Sequence, residues 1–345
     1  MTAQATIPLK GAPGSPYTRK MLALMRFRRM PFRLIVAPRG EHGAFPKPKV
    51  DLLPTFYLPS ATGEIEAVTD STPIIRRFEL ENSQRSVLPT HPVLRFLDEL
   101  IEDYGDEWLT KAMFHYRWHY AADTEKSGSI LPLWRGMTMS PERAAAMKKE
   151  FSERQISRLK FVGSSPATAA TIEASYARFL DVFEAHLHHH PYWLGQRPAS
   201  GDFAIFGQLT QLAQFDPTPS ALTLSRAPRV SAWTCLVEDL SGLEVEDQDW
   251  IDPTALPKTL EALLSEIGRV YVPVMLANVR ALKCGADQVR VQVDGSPWQQ
   301  QPFPYQGKCV QWLRQSYAAL TGNDAKLVRE ILARSHCLPL VEEAL

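Results

Sequence analysis

Cysteine is scarce: four residues in 345, at Cys235, Cys284, Cys309 and Cys337, with none in the first two-thirds of the chain. Their spacings match no CxxC or zinc pattern, and so few thiols in so long a chain exclude a disulfide-stapled scaffold. Free structural thiols are expected. Net charge is also lacking, since 38 basic residues cancel 38 acidic ones. A neutral chain has no electrostatic footprint for nucleic acid, so no nucleic-acid partner is expected. Long apolar runs are missing too. The best, Val270 to Val279, is broken by Pro273 and Asn278 and falls short of the roughly 18 residues of a membrane span. The opening MTAQATIPLKG has no apolar signal region. A cytoplasmic protein without a membrane partner is expected. Repeats and low-complexity tracts are absent. What is present, 45% hydrophobic and 22% charged residues, excludes wholesale disorder and suits two domains with an appendage.

The charges are unevenly spread. Residues 1–50 hold ten Lys/Arg against one acid, Glu41, while 231–270 is acidic. Either two complementary surfaces or a positive pocket for an anionic ligand accounts for this. The Arg26, Arg28, Arg29 and Arg33 group reads as a solvated helix face. His186, His188, His189 and His190 end a helical stretch, where imidazolium suits the helix dipole. No cysteine or carboxylate nearby completes a metal shell, so no metal site is assigned.

The first 82 residues alternate short strands and helices. Ala5 to Leu9 reads as a strand, Pro16 to Met30 as a helix ended by Pro31, and Phe32 to Ala37 as a β-rich strand. That is a βαβ unit with a parallel pair. After a loop rich in Pro, Gly and Lys, Thr55 to Leu58 and Glu64 to Thr69 form a hairpin around Ala61-Thr62-Gly63. Asp70-Ser71-Thr72-Pro73 then opens a helix with capping side chains ahead of a first-turn proline. The order βαβ-ββα is thioredoxin-like. Beyond a linker at Asn82 to Pro92, residues 93–121, 141–160, 167–189, 200–214 and 229–240 carry amphipathic helical patterns without convincing strands. The last part holds a helix from Leu256 to Leu282, a hairpin signal at Val289 to Val293 with Asp294-Gly295, and helices at Gly307 to Leu320 and Asp324 to Ala333. The fold class is α+β: a thioredoxin-like domain (1–82), an all-helical domain (93–250) and an extension (251–345).

Three segments in this order, GSPYTRK at the first helix, TDSTPI at the third, and PYWLGQRPASGDFAIF from Pro191, resemble the glutathione transferase superfamily over roughly residues 5–245. The tail from about Ile251 resembles extensions of some bacterial members. The resemblance implies glutathione as co-substrate, a hydrophobic second substrate and a homodimer. Such an enzyme must hold the tripeptide and shift its thiol toward thiolate, the nucleophilic form. A helix N-terminus favours that anion.

Ser15 precedes Pro16 and reads as the N-cap of the first helix. By the resemblance, it is the catalytic hydroxyl that donates to the glutathione thiolate, with Tyr17 and Thr18 as alternatives. Its bare structural role is a cap. Members that exchange thiols with disulfides carry Cys at this position, so Ser15 argues against that chemistry. Members using Tyr place it at the end of the first strand, which here reads Leu9-Lys10-Gly11. Pro54, rather than Pro59, matches a cis proline that turns the Leu53 backbone toward the cysteinyl amide. Asp70 and Ser71 match the pair that binds the γ-glutamyl end, the hydroxyl and helix N–H groups taking the carboxylate and Asp70 the ammonium. Lys47, Lys49 or His42 remains open as the partner of the glycyl carboxylate. Tyr104, Trp108, Phe114, Tyr116, Trp118 and Trp134 are either core or the wall of a hydrophobic substrate pocket. The resemblance also leads one to expect Ser or Thr three residues before Asp202 as a capping box. Ala199 stands there, so Ser200 caps in a shifted register or the box is lost. The main alternative to an enzyme is a binding or interaction module on the same fold.

Overall fold

The computed structural model describes residues 6–38 and 40–342. Strand β1 (Ile7–Lys10), helix α1 (Pro16–Phe27) and strand β2 (Phe32–Ile35) form the βαβ unit; β3 (Thr55–Pro59), β4 (Ile65–Thr69) and α2 (Ser71–Glu81) complete the domain. The sheet order is β2-β1-β3-β4. β1 pairs parallel with β2 and antiparallel with β3, and β3 pairs antiparallel with β4. The fold is α+β with a thioredoxin-like first domain. Its core follows from spacing: Met21, Leu24 and Met25 of α1 and Ile74, Ile75 and Phe78 of α2 are buried with Leu9 and Phe56 of the sheet. Ala5 of the expected first strand lies outside the described residues. Pro59 is the last residue of β3, opposite Ile65.

The helical part comprises α3 (Pro92–Tyr104), a π-helical turn (Gly105–Leu109), α4 (Thr110–His119), α5 (Ala121–Ile130), α6 (Pro141–Ile156) and α7 (Ala169–His186). There follow α8 (Ser200–Leu209), a second π turn (Thr210–Phe215), α9 (Pro217–Arg226) and α10 (Pro228–Leu236). Two of these helices escape the sequence reading. The segment AADTEKSGSI of α5 has no apolar stripe, and PTPSALTLSR of α9 packs two prolines into its first turn.

In the extension, α11 (Lys258–Glu266), a π turn (Ile267–Tyr271) and α12 (Val272–Cys284) run on as one helix. By length and composition it could cross a membrane, but 72% of its most apolar window is buried inside the protein. It is a core helix. Pro273 lies inside this continuous helix, directly after the π turn, where the hydrogen-bond ladder is already interrupted. Next come β5 (Val289–Val293), β6 (Ser296–Gln300), α13 (Pro304–Ala318), α14 (Gly322–Arg334) and α15 (Pro339–Glu342). At the hairpin turn Asp294 and Gly295 have φ of 50° and 76°, the positive pair that a type I′ turn requires. One continuous apolar cluster includes Leu9, Phe96, Trp193, Val270 and Leu332. The extension is therefore part of the body, with α11 against α7 and both α13 and α14 along α3.

The uneven charges meet each other. Arg19 and Arg26 pair with Glu238, and Arg29 and Arg85 with Glu244. Arg28 is buried at 2.6 Å from Glu79, and the Arg33 guanidinium lies over Phe45. Arg29 and Arg33 are exposed as a solvated face requires, whereas Arg28 is buried; through Arg19, Arg26, Arg29 and Arg85 the basic N-terminal segment and the acidic later one are complementary surfaces.

At the start of α8 the capping box is half kept. Ala199 has no side-chain acceptor, but Asp202 Oδ2 accepts the Ala199 N–H at 2.9 Å and Oδ1 accepts the Trp193 N–H at 3.0 Å. Ser200 does not cap in a shifted register: its hydroxyl donates to Asp98 at 2.6 Å and Glu102 at 3.2 Å. Replacing Asp202 by Ala strands two buried amides, so a loss of about 2–3 kcal/mol is expected in urea unfolding. A loss below about 0.5 kcal/mol would show that those amides find other partners.

Candidate functional site

The site forms where the β1–α1 loop, the start of β3 and the β4–α2 corner converge. Ser15 has an extended backbone (φ −97°, ψ 116°) ahead of Pro16, as an N-cap before a first-turn proline should. Its Oγ accepts the Thr18 N–H at 3.2 Å and donates to the Leu53 carbonyl at 3.4 Å. The Leu53–Pro54 bond is cis. The structure therefore brings Ser15, Leu53 and Pro54 together across 38 residues of sequence. Gly14 permits a further approach, because a Cβ there would lie 2.4 Å from Leu131 and 2.8 Å from Trp134. Trp134 also packs against Phe215 at 5.4 Å, so an apolar rim closes beside the serine.

The alternative hydroxyls are committed elsewhere. Thr18 is fully buried and its Oγ1 accepts the Ala12 N–H at 3.3 Å. The Tyr17 hydroxyl donates to the Asp106 carbonyl at 2.8 Å, and burial pushes its pKa well above the ordinary value. Of the aromatic residues, Tyr104, Trp108, Tyr116 and Trp118 are core, and the Trp108 indole donates to Ser175 at 2.7 Å. Phe114 is half-buried against Trp118. In the loop before Pro54, His42 Nδ1 lies 3.0 Å from the Tyr57 hydroxyl and its Nε2 faces Asp51, whereas Lys47 and Lys49 are exposed.

Asp70 stands at the corner before α2 with φ 86°. A non-glycine residue held at positive φ costs on the order of 1–3 kcal/mol and marks a position the surroundings enforce. Its Oδ1 accepts from the Tyr305 hydroxyl of α13 at 2.8 Å. Burial raises the carboxyl's pKa, against the lowering effects of Tyr305 and Lys20. Ser71 is buried, and its hydroxyl accepts from Lys20 Nζ at 3.1 Å.

Lys20 anchors a network that sequence reasoning missed. Its ammonium also donates to Glu102 at 2.7 Å and Asp106 at 2.6 Å. Asp98, Glu102 and Asp106, with Glu99, Asp103 and Glu107, repeat every four residues along α3 and its π turn. The signal was readable as acids at i, i+4 and i+8 on an otherwise apolar helix, and as one lysine inside KMLALM. The extension supplies donors to the row: Tyr271 bonds to Asp103, and Gln306 donates to Glu107 at 3.0 Å.

Burial drives Asp98, Asp103, Asp106 and Glu107 upward, and nearby carboxylates add to it. Asp98 and Glu107 are pushed up to about 8 and Asp106 to about 7. At Glu102 burial acts the same way, but Lys20 and Arg76 prevail and hold it down at about 2. Raised carboxyls bind protons in the folded state that the unfolded chain has released. Their stabilisation is therefore complete below the unfolded pKa, near 4, and is lost as pH rises through the folded one. Burial also lowers Lys111 to about 8 and His186 to about 4, and these act above pH 8 and below pH 6.5 respectively. Between those limits the carboxyls decide, each worth about 1–2 kcal/mol. The melting temperature is expected to fall by several degrees from pH 6.5 to 8, less steeply in Asp98→Asn. A melting temperature that rises over that range would contradict the assignment.

Of the histidine group, His186 is buried. Its Nε2 lies 2.9 Å from the Tyr192 carbonyl and its Nδ1 2.8 Å from the Thr259 hydroxyl, while the ring stacks on Trp193 at 4.4 Å. A carbonyl requires Nε2 to carry the proton, which leaves Nδ1 to accept from Thr259. Among the described residues no three His, Cys, Asp or Glu side chains group to hold a metal, and the four cysteines are free.

Two family models match in the order the fold presents. Residues 9–86 match the glutathione S-transferase N-terminal domain and residues 166–234 the C-terminal domain. The chain belongs to the glutathione transferase superfamily. Similar solved structures include a glutathione S-transferase from Methylobacterium radiotolerans in complex with glutathione sulfonate, at 19% identity and TM-score 0.42. That match covers 68% of this chain and 91% of the other. A glutathione S-transferase from Rhodospirillum rubrum matches at 15% identity and TM-score 0.43, over 74% and 98% of the two chains. A transferase family member from Pseudomonas fluorescens with two glutathione bound matches at 14% identity and TM-score 0.43, over 68% and 89%. No curated protein matches the chain.

Proposed function

We propose that the protein binds glutathione along Leu53, Pro54, Asp70 and Ser71 and transfers its thiolate to a hydrophobic electrophile, with Ser15 as the catalytic hydroxyl. The supporting observation is the convergence of Ser15 Oγ, at the N-terminus of α1, with the Leu53 carbonyl at 3.4 Å. A thiol seated there meets a hydroxyl donor and the positive end of a helix, both of which favour its ionised form. Attack by the thiolate forms the carbon–sulfur bond and expels the electrophile's leaving group, and the apolar rim at Leu131, Trp134 and Phe215 is where that substrate would lie. The homodimer implied by the resemblance belongs to this reading and is checked by sedimentation equilibrium.

One observation favours the second reading, a module without turnover. Tyr305 engages the Asp70 carboxylate, and Lys20 the Ser71 hydroxyl, so groups that would take the γ-glutamyl end already have partners within the chain. Calorimetric titration with glutathione separates the two. The transferase reading expects saturable binding that Asp70→Ala abolishes or weakens at least about tenfold, the scale of a charge-assisted contact. No binding at millimolar glutathione sinks it. Binding that appears only in Tyr305→Phe identifies a site closed by its own extension.

A further inference from the structure

Away from the candidate site, three side chains from separate segments form one line of hydrogen bonds. His115 of α4 is fully buried. Its Nδ1 lies 2.8 Å from the Ser164 hydroxyl and its Nε2 3.1 Å from Glu173 Oε1. A carboxylate only accepts, so Nε2 carries the ring proton and Nδ1 is left to accept from Ser164. The Tyr120 hydroxyl donates to the same Glu173 oxygen at 2.7 Å and holds it in place. Burial lowers the imidazole's pKa, against the raising effect of Glu173. The ring is therefore unprotonated at neutral pH and able to take a proton.

Ser164 lies on the wall of a cavity of about 650 Å³ between residues 160–168 and the β5–β6 hairpin. Its backbone is pinned on both sides. The Ser164 N–H donates to the Leu159 carbonyl at 3.0 Å, and the Ser165 N–H to the Thr168 hydroxyl at 2.9 Å. Lys160 and Arg290 line the cavity and, among the described residues, no carboxylate does. Negative charge that develops there meets a positive field. A hydroxyl bonded to a base that is itself oriented by an acid is the arrangement of an activated nucleophile, recognised by geometry rather than by position in the chain. Neither glutathione binding nor Ser15 makes use of it.

We propose that Ser164 and His115 form a second catalytic site, independent of glutathione, that hydrolyses carboxylic esters of small acyl groups, with Glu173 as the positioning residue. Ser164 is 5% exposed, which restricts the acyl group to a small one. The Ser164 Oγ attacks the ester carbonyl carbon while its proton passes to His115 Nδ1. The tetrahedral intermediate then breaks its bond to the alcohol oxygen, which leaves with that proton. Water, giving a proton to the same Nδ1, attacks the acyl-serine. The carboxylic acid departs and Ser164 regains its proton. Through both halves Glu173 keeps Nε2 protonated and so leaves Nδ1 free to act.

The test is hydrolysis of 4-nitrophenyl acetate by the full-length protein without glutathione, followed by nitrophenolate absorbance. Saturable release above the spontaneous rate is expected, and Ser164→Ala should lower kcat by at least about 100-fold, as for loss of a nucleophile. Glu173 is 33% exposed, so Glu173→Gln should fold. It should lower kcat at least about tenfold while KM stays within about threefold, a split that a merely structural role would not produce. Phenylmethylsulfonyl fluoride should sulfonylate the Ser164 hydroxyl, read by mass spectrometry of the digested protein. If Ser164→Ala fails to fold, Glu173→Gln and the sulfonylation site decide. Lack of saturable release, a rate unchanged in Glu173→Gln, release that requires glutathione, or a sulfonyl group on any residue but Ser164 overturns the proposal.

Discussion

Replacing Lys20 by Met is expected to destabilise the protein by about 3–5 kcal/mol at pH 8, the cost of stripping the partner from buried charges. The ammonium is fully buried and reaches Ser71, Glu102 and Asp106. Burial alone would lower the lysine's pKa, but the two acids hold it above its ordinary value. Met preserves most of the volume, so the loss is electrostatic rather than a cavity. That origin has a signature in pH. Without Lys20 the Asp106 carboxyl, already near 7, rises further and accepts a proton in mild acid, so part of the stability should return near pH 5.5. Chemical denaturation at the two pH values reads both effects. A loss under about 1 kcal/mol, or one independent of pH, would mean the acids are satisfied without the lysine. The consequence reaches the candidate site, because the same ammonium holds the Ser71 hydroxyl at the start of α2.

Ser15→Ala is expected to lower turnover with an apolar electrophile by about 100-fold while changing glutathione affinity less than about threefold, as for loss of one donor to a developing anion. As a mere cap, Ser15 would cost about 1 kcal/mol of stability and leave turnover near wild type. Ser15→Thr keeps a hydroxyl at the cap and should restore part of the rate. Thr18 and Tyr17 cannot substitute, since both hydroxyls are held inside the fold. Steady-state kinetics with an aryl halide measures the loss. Turnover within about threefold of wild type would remove Ser15 from the mechanism.

The local parts of this arrangement were legible in the sequence. Ser15-Pro16 and Asp70-Ser71-Thr72-Pro73 are capping signals that need only neighbouring residues, and Asp294-Gly295 sets a hairpin through backbone preference alone. The order of strands and helices then fixed the thioredoxin-like sheet. Helix α5 was not legible because AADTEKSGSI turns no apolar face; it is held by the Asp123 carboxylate accepting the Thr218 N–H at 3.0 Å, a contact across 95 residues. The reach of Tyr305 to Asp70 across 235 residues has no local signature either. The acidic row on α3 did have one, and its periodicity of four separates it from a solvated charge run. Asp98, Glu102 and Asp106 are covered by α1 and α8, and Asp103 and Glu107 meet the extension, packing that no single helix reveals.

The most direct test follows the ultraviolet absorbance of thiolate on glutathione bound to the full-length protein as pH is raised, in wild type and in Ser15→Ala. A site built from a helix N-terminus and the Ser15 hydroxyl predicts a bound thiol that ionises well below the free one, with the difference reduced in Ser15→Ala. A bound thiol that titrates like free glutathione would contradict the account.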